Sequence, residues 1–374
     1  MKAAQIKRYT HRIKANIVDV DIPALRLNEI LVKVVCAGVN PLDVMDMTGQ
    51  FKLIQKFPMP LKLGNEFSGV VEKVGQQVTD FKKGGDNVYG LLPMNRLGSF
   101  AEYVVINERD LAPMPANVTF QHAATVPLDA MTAVQAVMEE MSAQAGQKLF
   151  MPLGNDGLIN LVLPLAKRLG VEVNVAGDSR LKEPLLAAGV TQFIDMAEEN
   201  YWEVAPKSDM IIDTIGSSEF RHELAVVKAG GQIVSLRMNP NENFAVEHGM
   251  RPDKRVLFSV MGAKYDRLAK EQNARYRFLF VRSDGKRLRE ITKRIQREGF
   301  NPIIDPHEFD LDHINDALQL VAKGTTLGKV LVNVSQPKPK DNPPKETMEE
   351  EKPVVESEEP VVVTPDSATE LPEK

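Results

Sequence analysis

The chain has 374 residues, of which 43% are hydrophobic and 26% charged, with a formal net charge of −5 and a single cysteine, Cys36. That length supports two domains with a large buried core, and the composition is that of a soluble globular protein. One cysteine excludes an intramolecular disulfide and a Cys-rich zinc cluster, and the charge pattern offers no basic face for nucleic acid.

The opening MKAAQIKRYTHRIKANI carries charges every few residues and no apolar core, unlike a secretory leader. No run approaches 18 uninterrupted apolar residues, so no membrane span is expected, and a reducing, cytoplasmic setting fits the cysteine usage. Strands are expected in ILVKVVCAGV (30–39), FSGVVEKVG (67–75), NVYGLL (87–92) and SFAEYVVI (99–106), where β-branched or alternating runs are punctuated by glycine. Short strands between turns suggest a partly closed sheet. The pattern changes near Ala123, where AATVPLDAMTAVQAVMEEM (123–141) has helical periodicity.

An alternation follows: strand 148–153, helix 157–169, strand 171–177, helix 180–189, strand 192–195, strand 210–216, helix 218–227 and strand 231–237. Strands alternating with helices predict βαβ units and a parallel, doubly wound sheet. FLFVR (278–282), helices near 286–298 and 312–322, and KVLVNV (329–334) are read as the return to the first domain. The expected organisation is thus 1–122 completed by 275–334, a second domain over 123–274, and a tail over 335–374. From Ser335 onward there are 11 acidic and 5 basic residues, eight prolines and no aromatic residue. Such a segment cannot bury enough apolar area to offset chain entropy and is expected to be disordered, as a solubilising tail or an arm for an unknown partner.

The ordered set AGVNPLD (37–43), LGNEFSGVVEKVG (63–75), GSFAEYVVI (98–106), AATVPLDAMTA (123–133), PLAKRLG (164–170), IIDTIG (211–216), GGQIVSL (230–236) and GKVLV (328–332) resembles the zinc-independent medium-chain dehydrogenase/reductase family, in its quinone-oxidoreductase-like branch. The resemblance implies a GroES-like partly closed β-barrel domain, a Rossmann domain and an active cleft between them. It implies NADPH as hydride donor and a quinone, enone or similar small carbonyl compound as acceptor. Relatives of this kind often form homodimers through the edge of the Rossmann sheet, for which SLRMNP (235–240) and RVLFSVMGAKY (255–265) are candidates. In the zinc-dependent relatives a Cys stands at the place of Asn40 and a His at that of Asn65, and asparagine is a poor zinc ligand, so no metal is expected. The six histidines are scattered without ligand spacing, and Cys36 reads as a small buried residue.

The family's catalytic loop matches Asn40, with an amide donor, and Asp43. Its cofactor turn falls on MPLGNDGLIN, where Gly154 and Gly157 remain but Asp156 and Ile159 replace glycines. A carboxylate about 4 Å from a diphosphate repels it by roughly 4 kcal/mol at an effective dielectric of 20. Asn155 or Asp156 could instead cap the following helix and supply the anion internally. Ser179, Arg180 and Lys182, after the second strand, suit a 2′-phosphate or are ordinary helix surface. Thr132, Gly216, Ser235, Leu236, Phe280 and Lys329 complete the cofactor set that the resemblance implies. Asp129, in VPLDAMTA, puts another negative charge near the expected cofactor. Two readings follow. One is an NADPH-dependent oxidoreductase; the alternative is a non-catalytic relative with a degenerate cofactor turn, acting as a scaffold through its acidic tail.

Overall fold

The computed structural model describes residues 1–82, 84–153 and 157–335. The expectations for Gly154, Asn155 and Asp156, and for the tail beyond Ser335, lie outside these residues. The spine of the first domain is the strand Glu29–Val39, buried along nearly its whole length. Near-continuous burial means both faces are covered, which explains its run of Val, Ile, Leu and Ala in place of strict alternation. It pairs antiparallel with Glu66–Val74, Tyr103–Asn107 and Val330–Asn333. The last pairing brings the end of the fold back to its beginning, with Val330 opposite Val39. Lys329 and Asn40 each lie one residue beyond that pair.

Helix α1 (Pro41–Thr48) leaves the spine directly. Pro41 takes the first helical position, where no N–H is required, and Gly49 ends the helix at φ +71°, a conformation glycine adopts without steric cost. The helix expected over 123–141 is divided. A short helix covers Phe120–Ala124, α2 covers Pro127–Val134, and a wider π turn covers Gln135–Glu140. Pro127 causes the first break: it cannot donate to the preceding turn and instead starts a new helix.

The second sheet is parallel and six-stranded. Its strands are β1 (Lys148–Pro152), β2 (Glu172–Gly177), β3 (Gln192–Asp195), β4 (Ser208–Asp213), β5 (Val227–Ser235) and β6 (Arg275–Phe278). They lie in the order β3-β2-β1-β4-β5-β6, so the winding reverses between β1 and β4. Helix α3 (Ile159–Leu169) follows β1. Ligands bind doubly wound sheets outside the carboxyl ends of the strands at such a reversal.

Two expectations are corrected. Arg275–Phe278, grouped with the first domain by the sequence, hydrogen-bonds in register to Gln232–Ser235 of β5, with Tyr276 and Phe278 buried. The segment 255–265, a candidate edge strand, lies inside helix α4 (Pro252–Glu271). Its buried residues Phe258, Gly262, Tyr265, Leu268 and Ala269 follow the helical period, which its β-branched content disguised. Gly262 lets the helix touch the chain beneath, since a Cβ there would meet Asn241 Cβ at 2.4 Å. Among the described residues no helix is long and apolar enough to cross a membrane.

Candidate active site

An open cleft of about 640 Å³, counted with the solvent at its mouth, lies where the sheet reverses. Leu158 after β1, Thr214 after β4, Leu236 and Arg237 after β5, and Leu279 to Val281 after β6 form one wall. Asn40, Leu42, Met45 and Phe51 of the first domain form the other, and Leu128, Asp129 and Thr132 of α2 close the end. Phe51 packs on Phe278 and Phe280, with ring centroids 5.5 and 5.6 Å apart. This part of the cleft is therefore an aromatic and aliphatic pocket from which water is readily excluded.

Behind Asn40 lies a buried charged cluster that reaches the cleft only at Asp129 among its described members. The Lys329 ammonium is 2.7 Å from Glu66 Oε1 and 3.0 Å from Asp129 Oδ2. Burial works to lower the lysine's proton affinity, but Asp129 and Glu66 outweigh it and hold Lys329 above its usual value. Asn40 Nδ2 donates to Glu66 Oε1 at 2.8 Å and to Gly38 O at 3.4 Å, and the Leu128 N–H donates to Glu66 Oε2 at 2.8 Å. Both amide hydrogens of Asn40 are thus directed away from the cleft. Its role here is to orient Glu66, and it does not present the open donor that the sequence suggested.

Asp43 does not line the cleft. It is fully buried on α1, accepts the Asn40 backbone N–H at 2.7 Å and accepts Asn65 Nδ2 at 2.8 Å. The same Asn65 nitrogen donates to Asp46 at 3.0 Å. Burial pushes the Asp43 carboxyl up to about 7, and Asp46 is raised well above the carboxylate range, again chiefly by burial. Asp43 acts by shaping the Asn40 turn.

The remaining candidates divide. Thr132, Leu236 and Phe280 line the cleft, and Thr132 Oγ1 donates to Leu128 O at 2.8 Å. Ser235 is buried and turned inward: its hydroxyl donates to Asp213, and it accepts the Met238 N–H at 2.9 Å. Gly216, at φ +112°, donates its N–H to Asp213 at 2.7 Å and shapes the turn after β4. Ser179, Arg180 and Lys182 are exposed beyond the carboxyl end of β2. Arg180 is held by Asp178 at 2.6 Å, a bond that draws the Asp178 carboxyl down to about 2. Lys329, expected at the cofactor, is 2% exposed and stands behind Asp129.

Sequence reasoning missed Glu66 and Arg237. Glu66 carried a signal, a lone acid opening an apolar strand whose register demands burial. Arg237 carried none beyond its place after a parallel strand. Among the described residues no three His, Cys, Asp or Glu side chains are grouped to hold a metal ion.

Two family models match the chain, the alcohol dehydrogenase GroES-like domain over residues 26–116 and the zinc-binding dehydrogenase over 188–332. A 2-methylene-furan-3-one reductase of Solanum lycopersicum is 30% identical over 324 residues, covering 84% of this chain and 74% of the relative. The chain belongs to the medium-chain dehydrogenase/reductase family. Within it, the similarity falls in the quinone-oxidoreductase-like branch. An NADPH-dependent alkenal/one oxidoreductase of Arabidopsis thaliana is 29% identical over 86% of this chain and 75% of the relative. The solved quinone oxidoreductase of Coxiella burnetii superposes with a TM-score of 0.75 at 25% identity, over 90% of this chain and 99% of that one. In this medium-chain dehydrogenase/reductase, the side-chain amides of Asn40 and Asn65 are both committed to buried carboxyl groups.

Proposed function

We propose that this protein is an NADPH-dependent reductase that passes a hydride to a quinone, an enone or a similar small conjugated carbonyl compound, without a metal. The observation that carries the reading is the cleft itself: an apolar acceptor pocket across the reversal of a parallel sheet, with one cation, Arg237, among its described lining residues. The named activities of the tomato and Arabidopsis relatives support the same reaction class.

The residues at the reversal fit a dinucleotide. Strand ends and the amino end of α3 face the cleft, and Gly157 allows a close approach to Asp129, whose Oδ2 a Cβ there would meet at 3.1 Å. Thr132, Leu236 and Phe280 would hold its nicotinamide half, and Ser179, Arg180 and Lys182 its adenosine phosphate. Bound there, the coenzyme supplies the hydride.

The protein's own part is orientation, dryness and a partner for the oxygen that gains charge. Asn40 has no amide hydrogen left for that oxygen, and the Thr132 hydroxyl hydrogen is used within α2. Among the described residues the Arg237 guanidinium makes a single 3.4 Å bond, to Thr214 O, leaving donors for a carbonyl as it becomes an enolate. Phe51 and Phe280 press the acceptor flat against the strand ends. Following NADPH consumption with a panel of quinones and enones tests the reading. Arg237→Met should lower kcat/KM by about a hundredfold, the scale of losing an oxyanion donor, and Arg237→Lys should restore part of it. A wild-type protein that binds NADPH yet reduces none of the panel would overturn the reading.

A further inference from the structure

The phosphate end of the cleft holds an arrangement that the reaction does not use. The cleft wall presents Asp129, with Lys329 buried behind it. Three charged groups, Glu66, Asp129 and Lys329, meet within 3.0 Å of the ammonium, and they sum to one negative charge. Gly157, at the entrance to α3, packs directly on that carboxylate: a Cβ on it would lie 3.1 Å from Asp129 Oδ2 and 3.3 Å from Lys329 Cβ. A helix amino end that would attract a diphosphate thus already has an anion against it.

We propose that Asp129 sets the affinity of this cleft for a dinucleotide, by holding Lys329 away from the phosphates and placing its own carboxylate against Gly157 at the entrance to α3. The inference rests on the coenzyme reading above. The Glu66–Lys329 pair alone would be neutral and would leave part of the ammonium charge to act on the phosphates. With Asp129 present that attraction is cancelled and replaced by repulsion, which buried surroundings screen only weakly. The consequence is a coenzyme held loosely and released readily. Asp129 is an affinity-setting residue and takes no part in hydride transfer.

The test is calorimetric titration of NADPH into the full-length protein, its Asp129→Asn and Asp129→Ala variants, and the Lys329→Met/Asp129→Asn double variant, each checked for a native-like thermal transition. Either single variant keeps Lys329 paired with Glu66, so folding is retained in at least one of them. The expected result is binding at least tenfold tighter in Asp129→Asn, with most of that gain absent when Lys329 is also replaced. Wild-type binding that Asp129→Asn and Asp129→Ala leave unchanged or weaken overturns the inference while the coenzyme reading stands. Absence of NADPH binding by every folded variant overturns both.

Discussion

Two buried polar clusters lie within one turn of each other around Asn40, and they solve opposite problems. On one side, Lys329 lies against Glu66 and Asp129, which outweigh the cost of burial and keep its ammonium charged. On the other, Asp43 and Asp46 share a single amide nitrogen of Asn65, and burial, only partly offset by hydrogen bonds and at Asp43 by Lys329, pushes both toward their neutral forms. The difference teaches that buried carboxyl groups can be accommodated in two ways. They are held either by a lysine at the start of the last strand or by protons.

The largest effect should come from breaking the compensated side. Lys329→Met leaves two buried carboxylates without a cation, and a loss of about 3–5 kcal/mol of stability is expected. Denaturant unfolding would show it, and adding Glu66→Gln and Asp129→Asn to the same chain should recover much of the loss. If Lys329→Met unfolds at the wild-type midpoint, the cluster is not a charged one.

The protonated side is sharpened by pH. The folded Asp43 carboxyl titrates near 7, well above the roughly 3.9 of an unfolded aspartate. A raised acid favours the folded state when protonated, so its contribution is complete below about pH 4 and is lost as pH rises through about 7. Stability should therefore fall by about 1 kcal/mol per pH unit across that window from this group alone. Asp43→Asn should flatten the dependence, as measured by urea unfolding at about pH 5 and pH 8. An unchanged slope in the variant would show that the pair is not proton-linked.

Much of the fold was legible because it rests on local patterns. Alternating strands and helices after Ala123 gave the parallel sheet, and the burial of Cys36 followed from its strand. What escaped was either disguised or distant. The β-branched residues of 255–265 hid a helical period, and Pro127 cut one expected helix in two. At the site, Asp129 was legible as an intruding charge, but its cation arrives from Lys329 two hundred residues later, and only the antiparallel return of Val330–Asn333 brings them together. The motif points to Asn40 as an open donor, but its amide is spent on Glu66, a residue that sheet register sets opposite Gly38.

The most direct test of the account is to follow the hydride itself. Full-length protein would be given NADPH deuterated at the transferable position of the nicotinamide, together with a simple enone, and the product examined by mass spectrometry and NMR. The account predicts a saturated ketone carrying one deuterium on the carbon β to the carbonyl. Turnover that leaves the deuterium on the coenzyme, or a product reduced without it, would contradict the account.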